Sequence, residues 1–319
     1  MDRLDFLILR TLLVNNGIPP GVPVFRKSFR SMGKELGVDQ GTIRKRIKRF
    51  QERRVLKGWC LGVNPALTGH DIIQAWFEIK GELSKNDLVA RLLSIPDVER
   101  ACNYLGPKVS VVLFNRKGTN PEALLARISK LAGPGATLHK SGVIATAPHV
   151  LNRTDEAIIT NLRNDPWRPF ATVAKELGFS ERTVKRRVAA LSEQGQIYML
   201  PIVDLKALEG IVPVELVVEY ESNESRSSVN GKVASYVREG LVFSDTSGPY
   251  GYFALFVPNV SQVEHIRYRV NQIRGVRKVH SDVLQDVVLN KGHYEKWKVP
   301  SGARVRQAKV PILTEHVSA

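Results

Sequence analysis

The feature that most constrains this chain is that it repeats itself. Phe29-Arg-Ser-Met-Gly-Lys-Glu-Leu-Gly37 returns as Phe170-Ala-Thr-Val-Ala-Lys-Glu-Leu-Gly178, at an offset of 141 residues. Held ungapped from 29–78 onto 170–219, that offset gives 12 identities in 50 positions, where composition alone would give about 3. The register returns at Gly106-Pro107 and Gly248-Pro249, and at His139 and His280. Ahead of the first block, Asp5, Ile8, Leu9 and Leu12 match Asp155, Ile158, Ile159 and Leu162 at offset 150, so the first copy carries nine extra loop-type residues around 15–23. Any fold must therefore be built twice from a unit near 140 residues.

Each unit starts with a helical pattern. Leu4, Leu7, Ile8 and Leu12 recur at helical spacing. A second helix is expected over Ser28–Leu36, ended by Gly37, and a third over Gln40–Arg54 with Asp39 as its N-cap. In the third, Ile43, Ile47 and Phe50 fall on one stripe; Val184, Val188 and Leu191 repeat it behind the cap Ser180. Two short helices joined by a tight turn make a helix-turn-helix pattern. Val55–Val63 reads as a small hairpin, a wing. The remainder of each unit reads β-α-β-β-α-β, a ferredoxin-like order. The expected class is α+β, with two winged helix-turn-helix domains alternating with two ferredoxin-like domains. The divisions are 1–64, 65–149, 150–205, 206–289 and a basic tail, 290–319.

Charge is concentrated at one end. Of a formal +16, residues 1–64 hold +9, 65–149 hold +3, 150–205 hold +1, 206–289 hold −1 and the tail +4. Such an excess favours a polyanion partner. With the stripe facing inward, Gln40, Gly41, Arg44, Lys45, Lys48 and Arg49 face out. A helix of this kind fits the major groove. Gln40 and Arg44 are the expected base readers, with Thr42 beside them, and Lys45, Lys48, Arg49 and Lys57 the expected phosphate contacts. The second copy presents Arg182, Lys185 and Arg186 but also Glu181, and Ala189-Ala190 replaces Lys48-Arg49. It either reads a different half-site or serves as a packing module.

Other chemistry is sparse. Two cysteines, Cys60 and Cys102, make no metal or disulfide framework. No cofactor and no structural metal are expected, and no Ser/His/Asp set, P-loop or dinucleotide motif suggests an enzyme. Neither a signal-type start nor an apolar run near the roughly 20 residues of a membrane helix is seen. The expected setting is cytoplasmic and nucleoid-associated, without a membrane. His139 and His280, at matching positions of the last strand, are candidates for an effector site or a metal shared by the two copies. Tyr294 and Trp297 lie among Lys291, Lys296 and Lys298 in the tail, which either binds a backbone or docks on the second domain.

The segments Leu36-Gly-Val-Asp-Gln-Gly-Thr-Ile-Arg-Lys-Arg-Ile-Lys-Arg-Phe50 and Leu177-Gly-Phe-Ser-Glu-Arg-Thr-Val-Lys-Arg-Arg-Val-Ala-Ala-Leu191 resemble the leucine-responsive/AsnC family of transcription regulators. The resemblance implies a fused pseudo-dimer that binds double-stranded DNA, reads it chiefly with the first recognition helix, and takes a small-molecule effector in its ferredoxin-like domains. It leaves room for a homodimer of the tandem chain. The family's sensor turn resembles Gly-x-Tyr/x-Asp; here it reads Gly106-Pro-Lys-Val109 and Gly248-Pro-Tyr-Gly251, so Gly106 and Gly248 are the matching positions and the Asp is missing from both. Siroheme decarboxylases resemble the same architecture. Their His-Asn-Tyr-Leu-Arg corresponds to Cys102-Asn-Tyr-Leu-Gly106, which lacks the His and the Arg. A fused enzyme of that kind is one alternative; a non-specific chromatin-coating protein is the other.

Overall fold

The computed structural model describes residues 1–14, 25–144, 151–163, 165–246 and 248–290. The extra loop around 15–23 and the tail beyond Asn290, with Tyr294 and Trp297, lie outside them.

Three helices open each unit: α1 (Arg3–Val14), α2 (Phe29–Leu36) and α3 (Gln40–Glu52). Ser28 caps α2 by accepting from Ser31 N at 3.1 Å, and Gly37 closes it at φ 69, a left-handed conformation suited to glycine. Asp39 accepts from Thr42 N at 2.9 Å and starts α3. Ile43, Ile47 and Phe50 are buried with Ile8, Leu9 and Met32 of the preceding helices.

After α3 comes β1 (Leu56–Val63). It is one continuous strand rather than the expected hairpin. Its eight residues run into a 3-10 turn at Pro65–Thr68 without a turn of their own. The edge is satisfied from elsewhere in the chain, by a strand of the second unit, as given below.

The first ferredoxin-like unit follows as β2 (His70–Ile79), α4 (Lys85–Leu93), β3 (Val98–Tyr104), β4 (Lys108–Arg116), α5 (Pro121–Ala132) and β5 (Ala136–Ile144). The pattern then repeats with α6 (Arg153–Leu162), α7 (Phe170–Leu177), α8 (Glu181–Glu193) and β6 (Ile197–Val203). It closes with β7 (Val212–Tyr220), α9 (Arg226–Tyr236), β8 (Leu241–Asp245), β9 (Gly251–Val257), α10 (Val260–Asn271) and β10 (Val276–Leu289).

Two sheets tie the units together. β1 and β6 form an antiparallel ribbon, from Leu56 opposite Val203 to Val63 opposite Ile197. The other eight strands form one sheet in the order β5-β2-β4-β3-β10-β7-β9-β8. Each half has the ferredoxin-like order, and the halves join where β3 pairs antiparallel with β10. Asn290, at the end of β10, locks this seam by donating to the carbonyls of Leu93, Ile95 and Val98 at 2.8, 3.2 and 2.8 Å.

Three apolar layers result. One lies between the first half-sheet and α4/α5, one between the second half-sheet and α9/α10, and a smaller one between the half-sheets around Trp76, Tyr104 and Val217. The last also buries Glu215, which accepts from Trp76 Nε1 at 3.0 Å, from Tyr252 OH at 2.9 Å and from Tyr104 OH. Burial raises the pKa of this carboxyl.

The helical domains are crossed over. Ile211, Val242 and Phe256 of the second unit complete the core of the first helix-turn-helix, while Leu61, Val63 and Leu67 of the first unit complete that of the second. Arg10 of α1 donates to Leu241 O at 3.1 Å and to Arg238 O at 2.7 Å.

Candidate nucleic-acid interface

The inward stripe of α3 sets its outward face. Gln40, Gly41, Arg44, Lys45 and Lys48 are exposed there. Gln40, Arg44 and Lys45 make no ion pair or side-chain hydrogen bond among the described residues. Lys48 lies 3.7 Å from Glu52, a solvated pair that holds it weakly.

Three of the expected contacts have other roles. Thr42 gives its hydroxyl to Asp39 Oδ2 at 2.5 Å, so it serves the cap. Lys57 pairs with Asp204 Oδ2 at 2.7 Å, fastening β1 to the turn after β6. Arg49 turns back and pairs with Asp5 of α1.

That last contact belongs to a clamp. Asp5 is 1% exposed and also accepts from Arg46 Nη1 at 2.8 Å; Arg46 reaches Asp2 as well. The second unit repeats it, with Arg187 Nε donating to Asp155 Oδ1 at 2.6 Å and Nη2 to Oδ2. A buried carboxylate on the first helix thus sets the angle of each recognition helix. The signal was in the repeat, since Asp5/Asp155 and Arg46/Arg187 are among its identities. Nothing in either copy alone says that they touch.

Arg30 and Lys34 of α2 share a concave surface with Val38, Asp39 and Gln40 at the start of α3. This brings two further cations to the reading face. The α2 pattern assigned them no role, because only the crossing of α2 and α3 puts them beside Gln40.

The second recognition helix, α8, exposes Arg182, Lys185 and Arg186. Lys185 is paired with Glu181 at 2.7 Å. The position matching Arg30 is Ala171.

The histidine pair is not brought together. His139 sits at a bulge on β5, one end of the eight-stranded sheet, and is exposed. His280 lies on β10, inside the sheet, 3.0 Å from Glu219 Oε1. The order β5-β2-β4-β3-β10 puts three strands between them. No group of three or more metal-ligating side chains occurs among the described residues.

Glu219 is instead the centre of an ion cluster, taking Lys140 Nζ and Arg277 Nη2 at 2.6 Å each. Burial alone would raise its pKa, but bonds from Lys140, Arg277 and His280 outweigh that and hold it at about 2. Lys140 also stands 3.9 Å from the ring centre of Tyr250.

Gly106 turns at φ 88 between β3 and β4, and its carbonyl accepts from Lys85 Nζ at 2.9 Å. Gly248 packs on β5, where a Cβ would stand 2.9 Å from Ile144 Cγ1. Beside it a cleft of about 280 Å³ is lined by Gln74, Trp76, Asp245, Tyr250 and Tyr252 among others.

Residues 151–192 match the AsnC-type helix-turn-helix domain. An HTH-type transcriptional regulator of Methanocaldococcus jannaschii is 38% identical over 73 residues, 23% of this chain and 43% of that protein. Another, from Pyrococcus furiosus, is 27% identical over 120 residues, 37% of this chain and 73% of that protein. The chain therefore spans less than half the length of the first relative. In architecture it is similar to the siroheme decarboxylase NirDL, with a TM-score of 0.51 at 14% identity over 92% of this chain and 97% of that one. No helix among the described residues is long and apolar enough to cross a membrane. The chain belongs to the AsnC/Lrp-type helix-turn-helix regulator family and carries two of its units in tandem.

Proposed function

We propose that this protein is a DNA-binding transcription regulator that reads a major groove chiefly with α3, the two fused units standing in for the two subunits of a dimer. The observation that carries this reading is the outward face of α3, where Gln40, Arg44, Lys45 and Lys48 are exposed opposite the buried stripe on the segment that holds +9 of the +16. Gln40 and Arg44 are the base-edge candidates; Lys45 and Lys48, with Arg30 and Lys34 of α2, suit phosphates. Arg182 and Arg186 of α8 suit phosphates in a second, weaker half-site, and Glu181 beside Lys185 opposes tight contact there. The preferred operator is therefore asymmetric.

The likeness to a siroheme decarboxylase concerns the fold alone. The residues matching that family's turn speak against the same chemistry here. Cys102 is buried, and Tyr104 is fully buried with its hydroxyl on Ser110 Oγ at 2.7 Å and on Glu215. The cleft at Gly248 and Tyr250 is the place for a small effector, whose identity the missing turn Asp leaves open.

Fluorescence-anisotropy titration against the protein's own promoter region and random duplex, at several salt concentrations, tests the reading. Replacing Arg44, Lys45 and Lys48 by Ala is expected to abolish the preference and to lower the salt slope by about 3. Equal affinity of the intact chain for both duplexes would favour a non-specific coating role. No binding at moderate salt would refute the reading.

A further inference from the structure

The second ferredoxin-like unit is slightly acidic overall, yet its charge is segregated. Residues 264–278 hold five basic and one acidic residue, while the rest of 206–289 holds four basic and nine acidic. The stretch covers most of α10, the turn at Gly275 and the start of β10. Val263 and Val270, with Ile266 and Ile273 partly buried, turn one face of α10 onto the half-sheet. The helical step carries Tyr268 to the opposite pole, where it is 65% exposed. Arg267 and Arg269 flank it, and Arg274, Arg277 and Lys278 follow, all exposed. Arg267 pairs with Glu264 and Arg277 with Glu219; Arg269, Arg274 and Lys278 have no acidic partner among the described residues. The matching stretch of the first unit, 124–138, holds two basic residues, and one of them, Arg127, pairs with Asp97 at 3.2 Å. The fold does not demand this ridge, since one copy does without it.

We propose that the ridge formed by Arg267, Tyr268, Arg269, Arg274, Arg277 and Lys278 is a second, sequence-neutral contact for DNA backbone, taking the duplex that flanks a site held by α3; it rests on the DNA-binding reading above. Arg, Lys and Tyr are side chains that bond phosphate oxygens without reading bases. The acidic remainder of the unit repels duplex elsewhere and confines the contact to the ridge. The first helix-turn-helix is seated on this same second unit through Arg10 and through Met1 N, 3.1 Å from Glu209 O. Reader and ridge thus belong to one packed body. A convex helix flank offers no groove for peptide side chains, which favours a uniformly charged backbone over an acidic protein segment.

The test uses the full chain and R269A/R274A/K278A, all three positions being exposed, with thermal melts to confirm that the variant is folded. Each protein is titrated over a range of salt against a duplex of about 20 bp, enough for the reader, and against one of about 60 bp with the same centre. On the longer duplex the variant's salt slope is expected to fall by about 3, and on the shorter one to stay unchanged. An unchanged slope on the longer duplex, or the same fall on both, overturns the proposal. The three changes are also placed in an R44A/K45A background. A fall on the longer duplex there supports the ridge even if the intact chain ignores the shorter one, an outcome that would refute the reader alone. Loss of binding to polyglutamate with DNA slopes unchanged would assign the ridge to an acidic protein and overturn the proposal.

Discussion

Replacing Asp5 by Asn tests whether the clamp on α3 has the weight given to it. Asp5 is buried and accepts from two guanidinium groups, Arg46 at 2.8 Å and Arg49, with Asp2 N at 3.2 Å as a third donor. An Asn keeps the volume but offers one acceptor oxygen and brings an NH2 against a guanidinium. At least one charge-assisted bond is lost, at about 1.5–3 kcal/mol. Full loss of a buried ion-pair partner costs about 3–5 kcal/mol, but the Arg46 and Arg49 side chains remain 25% and 38% exposed and can recover water. The expected destabilisation of the first helix-turn-helix is therefore about 2–3 kcal/mol. Urea unfolding followed by circular dichroism measures it, with D155N as the matched change in the second unit. A double-mutant cycle of Asp5→Asn with Arg46→Ala should show coupling of about 1–2 kcal/mol. A shift below about 0.5 kcal/mol, or strict additivity, would refute the argument that this carboxylate frames the recognition helix.

Other outcomes follow from single contacts. Asn290→Ala strips three carbonyls of their donor at the β3–β10 seam and should cost about 1–3 kcal/mol by the same unfolding assay. Glu219 has a folded pKa near 2, below its ordinary 4.5. Its contribution is therefore present above about pH 4.5 and lost as pH falls toward 2, so acid titration of E219Q should show a shallower loss of stability than the parent in that window. Burial pushes the Cys60 and Cys102 thiols up to about 12, so maleimide at pH 7 should label neither until the chain is unfolded. Gly62→Ala sets a Cβ 2.0 Å from Tyr198 Cε2 across the ribbon and should destabilise by about 1–3 kcal/mol, seen as a lowered melting temperature.

Much of this was legible in the sequence because it is local. Caps at Ser28, Asp39 and Ser180, the stop at Gly37, the stripes on α3 and α8 and the β-α-β-β-α-β order depend on residues a few positions apart. Periodicity reports such contacts directly. The duplication also imposed two equal units, since like segments fold alike, and the uneven charge marked the first as the reader. What the sequence could not decide is which strands and charges from distant segments meet. The strand after α3 was expected to fold on itself, but its partner, β6, lies about 140 residues away. Arg49 and Lys57 looked like phosphate contacts because each had no acid nearby in the chain; Asp5 and Asp204 reach them only through tertiary packing. His139 and His280 looked like a pair by position, and the strand order separates them. A charge's availability depends on what packs beside it, and that pairing is a property of the folded sheet and crossed helices rather than of spacing.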